Sequence, residues 1–555
     1  MPIHPRFDEY EDIIKDCDKI RIINFLKTIF TGDAKGNKKF GGTESSSAEG
    51  ITILGSVTLP TTDGHTKPIL CCAKQMDGIL TERSSRRKQF DIAVKVLKDN
   101  FIVPYIGNGP VQGSFTQGLF FFFDEPGNFR LSLVTCDIVS GKMELNNYRR
   151  QSFFVEAGKR NNTFRTRLCK TFSTFDELKS AFDVEKLSDD FFREYKAFYE
   201  DIVQYITGKR IVKKDSKKYT NEPMCEPCHE IFDQFIRVYG EGDNAERAVR
   251  NYVKKMMGRL VFIQFLQKKG WLGISTSQKD WHGGDTDFLQ NLFTKVSPDD
   301  RENFVDNILE EIFFEAFNTK EQERKIKNET LKQYKFPFLN CGLFDRDIDD
   351  RFQCTLPPAV FSNAQNNNAE RKAPDFKNWT KKKKPYFNSD ACGLFDFFDR
   401  FNFTIDENDP TDAEVSVDPE MLSKIFENLL EDNKDKGAFY TPKEIVNYMV
   451  NESLIAYLET ETSKVFKPAT MNKIRDFVLT QDTASFNDSE KATLEEKLAE
   501  VKICDPAIGS GAFPMGLLNL LCKCRLALKP TEEHENRNTI AAFKRDIIQK
   551  KYLWC

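Results

Sequence analysis

The stretch Val501-Lys502-Ile503-Cys504-Asp505-Pro506-Ala507-Ile508-Gly509-Ser510-Gly511-Ala512-Phe513-Pro514, followed by an apolar run from Met515 to Leu528, reads as a strand, a glycine turn and a helix. Gly509 and Gly511 remove the side chains that would keep a ligand from the backbone. The helix start beyond them offers unpaired N–H groups and the positive end of a dipole. Such a turn belongs at the carboxyl edge of a parallel sheet and suits a nucleotide-like ligand. Glycines also make tight strand-to-helix connections with no ligand, so the flanks must narrow the choice. The G-K-[ST] of a phosphate-binding loop and the full dinucleotide spacing are both absent, which disfavours ATP and NAD. Asp505 would repel a polyphosphate, whereas a cofactor with a cationic amino group, such as S-adenosylmethionine, would tolerate it.

The 555 residues suggest about three domains. With 40% hydrophobic and 30% charged residues, the chain has no long uncharged apolar run to cross a bilayer. Its first residues include Asp8 and Glu9 where a secretory signal needs basic residues, so a cytoplasmic location is expected. Fourteen scattered cysteines fit reduced thiols. Cys225-Glu226-Pro227-Cys228-His229 has the spacing of haem attachment, but lacks the further ligands of a zinc site and reads as a chance pattern, so no metal is expected. The net charge of −4 does not advertise nucleic-acid binding. The run Lys381-Lys382-Lys383-Lys384 reads as a solvated loop before it reads as a phosphate contact.

Three regions follow from the patterning. Residues 1–221 form a mixed α+β domain. It has strands at Ile51 to Leu59 and Leu119 to Val134, the second broken into a hairpin by Asp124-Glu125-Pro126-Gly127-Asn128. A helix with a basic first turn leads into Phe90, Ile92, Val94, Val96 and Leu97. Phe191, Phe192, Tyr195 and Phe198 recur at helical spacing, as core residues do. Residues 222–395 form a helical connector, with a helix from Ala248 to Lys268 and a polar loop at 362–369 expected to be mobile. Residues 396–555 open the third region, with a helix at 418–430, the run Gly437-Ala438-Phe439-Tyr440-Thr441-Pro442, and a helix from Lys443 to about Leu458.

Asp505-Pro506-Ala507-Ile508-Gly509-Ser510-Gly511-Ala512-Phe513 resembles the first cofactor motif of amino-group DNA methyltransferases, and Gly437 to Pro442 resembles their preceding cofactor motif. Further similarity runs through Met257 to Phe262, Gln267 to Leu272, Phe338 to Phe344, Phe401 to Asn408 and Asp418 to Leu422. Together these segments resemble type IIG restriction-modification enzymes and the related methyltransferases of BREX phage-defence systems. The resemblance implies an adenine-specific DNA methyltransferase whose partner is double-stranded DNA, and a third region that begins a Rossmann-like methyltransferase domain. It implies that Phe439, Tyr440, Thr441 and Pro442 hold the methionine end of S-adenosylmethionine. Asp505, Pro506, Ala507, Gly509, Gly511 and Phe513 would line the same pocket.

In that family a polar-Pro-Pro-aromatic motif, N-P-P-[YF], holds and stacks the flipped adenine. None follows Phe513, so no catalytic residue is named. Lys544-Arg545-Asp546-Ile547-Ile548-Gln549 resembles the helix end before the next strand, and the expectation is an incomplete domain, loosely held from about residue 480 unless another chain completes it. The 555-residue chain is expected to be inactive alone, with a second chain carrying the missing motif as a candidate partner. The alternative is a non-catalytic DNA- or protein-binding scaffold. A nuclease in the first region would need an E-x-K pair on a strand. Glu177-Leu178-Lys179 and Glu194-Tyr195-Lys196 lie in helical patterns, and the strand-like Ile69 to Lys74 has no acid in the needed place, so that domain reads as degenerate or accessory.

Overall fold

The computed structural model describes residues 7–30, 38–46, 50–82, 86–99, 115–136, 148–159, 161–215, 218–281, 283–339, 342–362, 393–404, 412–417, 441, 443–506, 511–529, 537–550 and 552–553. The chain is a mixed α/β protein of two compact units, residues 1–429 and 430–555.

The first unit begins with α1 (Phe7–Lys15), α2 (Lys19–Ile29), β1 (Lys38–Ser46), β2 (Thr52–Pro60), β3 (Thr66–Gln75), α3 (Arg86–Asp99), β4 (Gln117–Phe123), β5 (Phe129–Cys136) and β6 (Tyr148–Val155). Next come α4 (Asn162–Leu168), α5 (Phe175–Ala181), α6 (Val184–Thr207), β7 (Lys209–Asp215) and β8 (Lys218–Pro223). The helical part comprises α7 (His229–Tyr239), α8 (Asp243–Lys268), β9 (Ile274–Ser275), α9 (Phe288–Lys295) and α10 (Pro298–Glu302). Two π-helical segments (Val305–Leu309 and Glu311–Phe317), β10 (Tyr334–Lys335), α11 (Leu394–Phe398) and β11 (Asp412–Glu414) complete it.

Strands β1 to β6 and β11 form one seven-stranded sheet in the order β1-β2-β3-β4-β5-β6-β11. Its pairs are antiparallel except β3 with β4, which α3 connects, and β6 with β11. The run Phe120-Phe121-Phe122-Phe123 explains itself here, because β4 is buried on both faces and a doubly covered strand reads as continuously apolar. Phe121 and Phe123 pack with α1, α2 and α4 on one face, while Phe120 and Phe122 pack with Ile92, Val96 and Leu97 of α3 on the other. The β4–β5 turn closes through Asp124, whose carboxylate accepts Asn128 N–H at 2.7 Å and Leu80 N–H at 2.7 Å. Gly127 stands in the left-handed region, φ +89°, where a Cβ would lie 3.0 Å from the Asp16 Cα.

A second core joins α6, α7, α8, α9 and the π-helical segments. The aromatic stripe of α6 serves it, with Phe191 stacked on Phe397 at 5.1 Å. Two of the segments that carry the family resemblance meet there. Arg259 forms a buried bidentate pair with Asp350, at 2.7 and 3.0 Å, and its Nε donates to Leu343 O at 2.8 Å. Phe395 and Phe397 belong to this core, and β11 extends the amino-terminal sheet, so residues up to Val417 pack with the first unit. The physical reason is burial, because Leu394-Phe395-Asp396-Phe397-Phe398 is too apolar to serve as a linker. The polar loop and the 418–430 helix expected from sequence lie outside the described residues, except Ser362.

The second unit contains α12 (Lys443–Thr462), α13 (Pro468–Met471), α14 (Ile474–Thr480), α15 (Asp488–Glu500), β12 (Ile503–Cys504), α16 (Ala512–Ala527), α17 (Arg537–Lys550) and β13 (Tyr552–Leu553). Among its described residues beyond 480, Leu494, Leu498, Leu521, Cys524 and Ile547 are fully buried. Helix-on-helix contact supplies the burial that the two short strands alone lack. Among the described residues no helix is long and apolar enough to cross a membrane.

Candidate cofactor site

The glycine turn sits between β12 and α16. Strand β12 ends at Cys504 and is followed by the half-buried Asp505 and the exposed Pro506. Gly511 is the first residue described beyond the turn and caps α16 with φ +83° and ψ +17°, a conformation that costs any L side chain energy. Among the described residues nothing lies within 4 Å of a Cβ built there, so it is the backbone conformation that asks for glycine. Phe513 is half-buried, and Pro514 occupies the first turn, where its missing N–H breaks no helical bond. After α16 and α17 the chain returns as β13, parallel to β12, with Ile503 opposite Tyr552 and Cys504 opposite Leu553. This is a strand-helix-strand crossover, and its carboxyl edge is where open α/β sheets take ligands.

Thr441, half-buried, stands just before α12, and α12 packs on α16. The contact is close because Gly516 has no side chain. A Cβ there would lie 2.7 Å from Val446 Cγ1 and 3.4 Å from Val450 Cγ1. The helix that follows Thr441 is thereby held against the helix that follows Gly511. Of the ten residues expected at the site, Thr441, Asp505, Pro506, Gly511 and Phe513 are described. Phe439, Tyr440, Pro442, Ala507 and Gly509 lie outside the described residues.

Behind the turn, the Arg525 guanidinium pairs with Asp546 of α17 at 2.8 Å and Glu495 of α15 at 3.4 Å, and lies 4.4 Å from the Phe543 ring. Three helices are thus tied through one largely buried cation. Neither Gly516 nor Arg525 was picked out from the sequence. The available signal was a glycine inside an otherwise apolar helix, which usually marks close packing.

A carboxylate at a strand end, open backbone and a glycine-capped helix start fit a cofactor that is cationic at its amino-acid end better than a polyphosphate. The acids weighed for a nuclease are engaged elsewhere. Glu177 closes the capping box of α5 with Thr174, and Glu194 of α6 pairs with Arg400. Among the described residues no group of three His, Cys, Asp or Glu side chains is arranged to hold a metal ion. His229 of the Cys-x-x-Cys-His run pairs with Asp233 on its own helix at 3.2 Å.

No protein-family model matches the sequence, and no solved structure matches it. Among curated proteins the chain is similar to one from Methanocaldococcus jannaschii named "Putative type II restriction enzyme and methyltransferase", with 25% identity over 345 residues. The match covers 59% of this chain and 25% of that relative, so the chain spans about a quarter of the relative's length. This similarity is a distant relationship to a restriction-modification methyltransferase.

Proposed function

We propose that the chain belongs to an S-adenosylmethionine-dependent, adenine-specific DNA methyltransferase of a restriction-modification or phage-defence system, and that its second unit holds the cofactor. The observation that carries this reading is the β12–Asp505–Gly511–α16 turn with α12 clamped against it at Gly516. Asp505 would meet the charged amino-acid end of the cofactor, and the open backbone at Gly511 would admit its body. Thr441, with Phe439, Tyr440 and Pro442 beside it in sequence, would close the methionine end. Ala507, Gly509 and Phe513 belong to the same motif. The cofactor, when bound, supplies the electrophilic methyl group.

Holding the target adenine needs a further group. Residues 514–555 contain no N-P-P-[YF] motif, so none of them is assigned to hold the base. The test is photo-crosslinking of labelled S-adenosylmethionine to the purified protein. Label should enter the second unit and be displaced by unlabelled S-adenosylhomocysteine. No labelling, or labelling confined to the first unit, would refute the reading.

A further inference from the structure

Between α8, α9 and the segment after α11, the described residues of the first unit leave a cavity of about 130 Å³. Its lining combines the rings of Phe398, Phe401 and Phe403 with a row of three amides, Gln264, Gln267 and Gln290. That row is oriented from both ends. Gln267 Oε1 accepts the Leu289 N–H at 3.2 Å, which makes Gln267 Nε2 the donor to Gln264 Oε1 at 2.8 Å. At the other end Gln290 Nε2 donates to Asp399 Oδ1 at 2.6 Å, so Gln290 Oε1 is the acceptor toward Gln267 Nε2, at 3.4 Å. The oxygen and nitrogen of an amide are told apart by such networks, and here a backbone N–H and a carboxylate dictate the same order.

The order leaves one group over. With its oxygen engaged by Gln267, Gln264 keeps Nε2 as a donor that has no partner among the described residues, and the residue is 3% exposed. A buried N–H without an acceptor is costly, so an occupant that brings an acceptor is favoured. The charges restrict that occupant further. Glu156, Asp287, Asp399 and Glu414 line the cavity against Lys159 and Lys268, an excess of acid that disfavours a phosphate and suits an amino group. A water would satisfy the amide and leave the rings uncovered, whereas a flat polar ring does both. The volume admits about one ring, since an apolar cavity of about 150 Å³ takes up benzene.

We propose that this cavity binds a single aminopyrimidine ring of the cytosine type, whose ring nitrogen accepts from Gln264 Nε2 and whose amino group donates to a carboxylate of the wall, Asp287 or Asp399. The cavity lies in the first unit and the cofactor turn in the second, so this proposal and the function proposed above fail separately.

The test is a saturation-transfer NMR titration of the full chain with cytosine, cytidine and uracil, repeated on Gln264→Met after a check of its thermal unfolding. Uracil keeps the ring but carries an N–H where cytosine has its acceptor and a carbonyl where cytosine has its amino group. Cytosine should saturate the parent, and uracil should bind at least about tenfold more weakly, the worth of one hydrogen bond made against one left unmade. Gln264→Met should lose about tenfold in affinity for cytosine. Cytidine binding as well as cytosine would uphold the proposal for a ring carried on a sugar, and cytosine alone would uphold it for the free base. No saturation by either, as for a cavity that holds water only, would overturn it. So would uracil bound as tightly as cytosine, or a folded Gln264→Met that binds cytosine as the parent does. Should the variant not fold, the comparison of cytosine with uracil on the parent decides alone.

Discussion

Gly516 of α16 and Val446 of α12 are so close that a Cβ on the glycine would lie 2.7 Å from the valine Cγ1. Val446 is buried and β-branched, so its side chain has no alternative rotamer to swing into at low cost. Gly516→Val should therefore destabilise the second unit by about 1–3 kcal/mol through overpacking. Adding Val446→Ala to Gly516→Ala should restore the loss. Urea unfolding of the four proteins measures both, and an unchanged midpoint in Gly516→Val would show that the close approach constrains nothing.

Gly511 differs, because no described residue lies within 4 Å of a Cβ there and its φ of +83° is what is demanding. Gly511→Ala should cost about 1–2 kcal/mol of backbone strain with the fold retained. Asn tolerates the left-handed region better, so Gly511→Asn should cost less than Gly511→Ala. Thermal unfolding of the two variants gives the order, and the reverse order would refute the backbone argument.

Arg525 is 7% exposed and linked to Asp546, Glu495 and Phe543. Replacing it with Met removes the guanidinium from both acids in a partly buried setting and leaves Glu495 with Lys529 at 3.6 Å. A loss of about 3 kcal/mol is expected, as for other pairs broken from one side. Differential unfolding should place the loss in the second unit. A parent-like unfolding profile would mean that packing, not the ion pairs, holds α15, α16 and α17 together.

Glu414 of β11 supplies a pH signature for the first unit. Burial, then the neighbouring Glu82, pushes its carboxyl up to about 7, against the pull of Arg130, Arg86 and Lys268. Between the ordinary value of 4.5 and about 7 the folded chain keeps a proton that the unfolded chain has released. Stability should therefore fall as pH rises through that window, by about 3 kcal/mol for this group. Glu414→Gln should flatten the slope, and a chemical-denaturation series from pH 5 to about pH 8 would read it. An equal slope in both proteins would show that Glu414 titrates normally.

The elements with strong local signals were legible in the sequence. The Asp124 to Asn128 turn, the basic-started helix before Leu97 and the glycine turn after Cys504 each carry their geometry in their own residues. What escaped was set by distant partners. Nothing local says that Asp412–Glu414 joins β6 across more than 250 intervening residues. Gly516 and Arg525 escaped for the same reason, since their meaning lies in α12, α15 and α17.

The most direct measurement of the central claim is calorimetric titration of S-adenosylmethionine into the full chain and into Asp505→Ala. The account predicts saturable binding by the parent, and an affinity roughly ten- to a hundredfold weaker in the variant, the worth of one charge-assisted contact. No binding by a folded parent, or equal binding by both proteins, would contradict it.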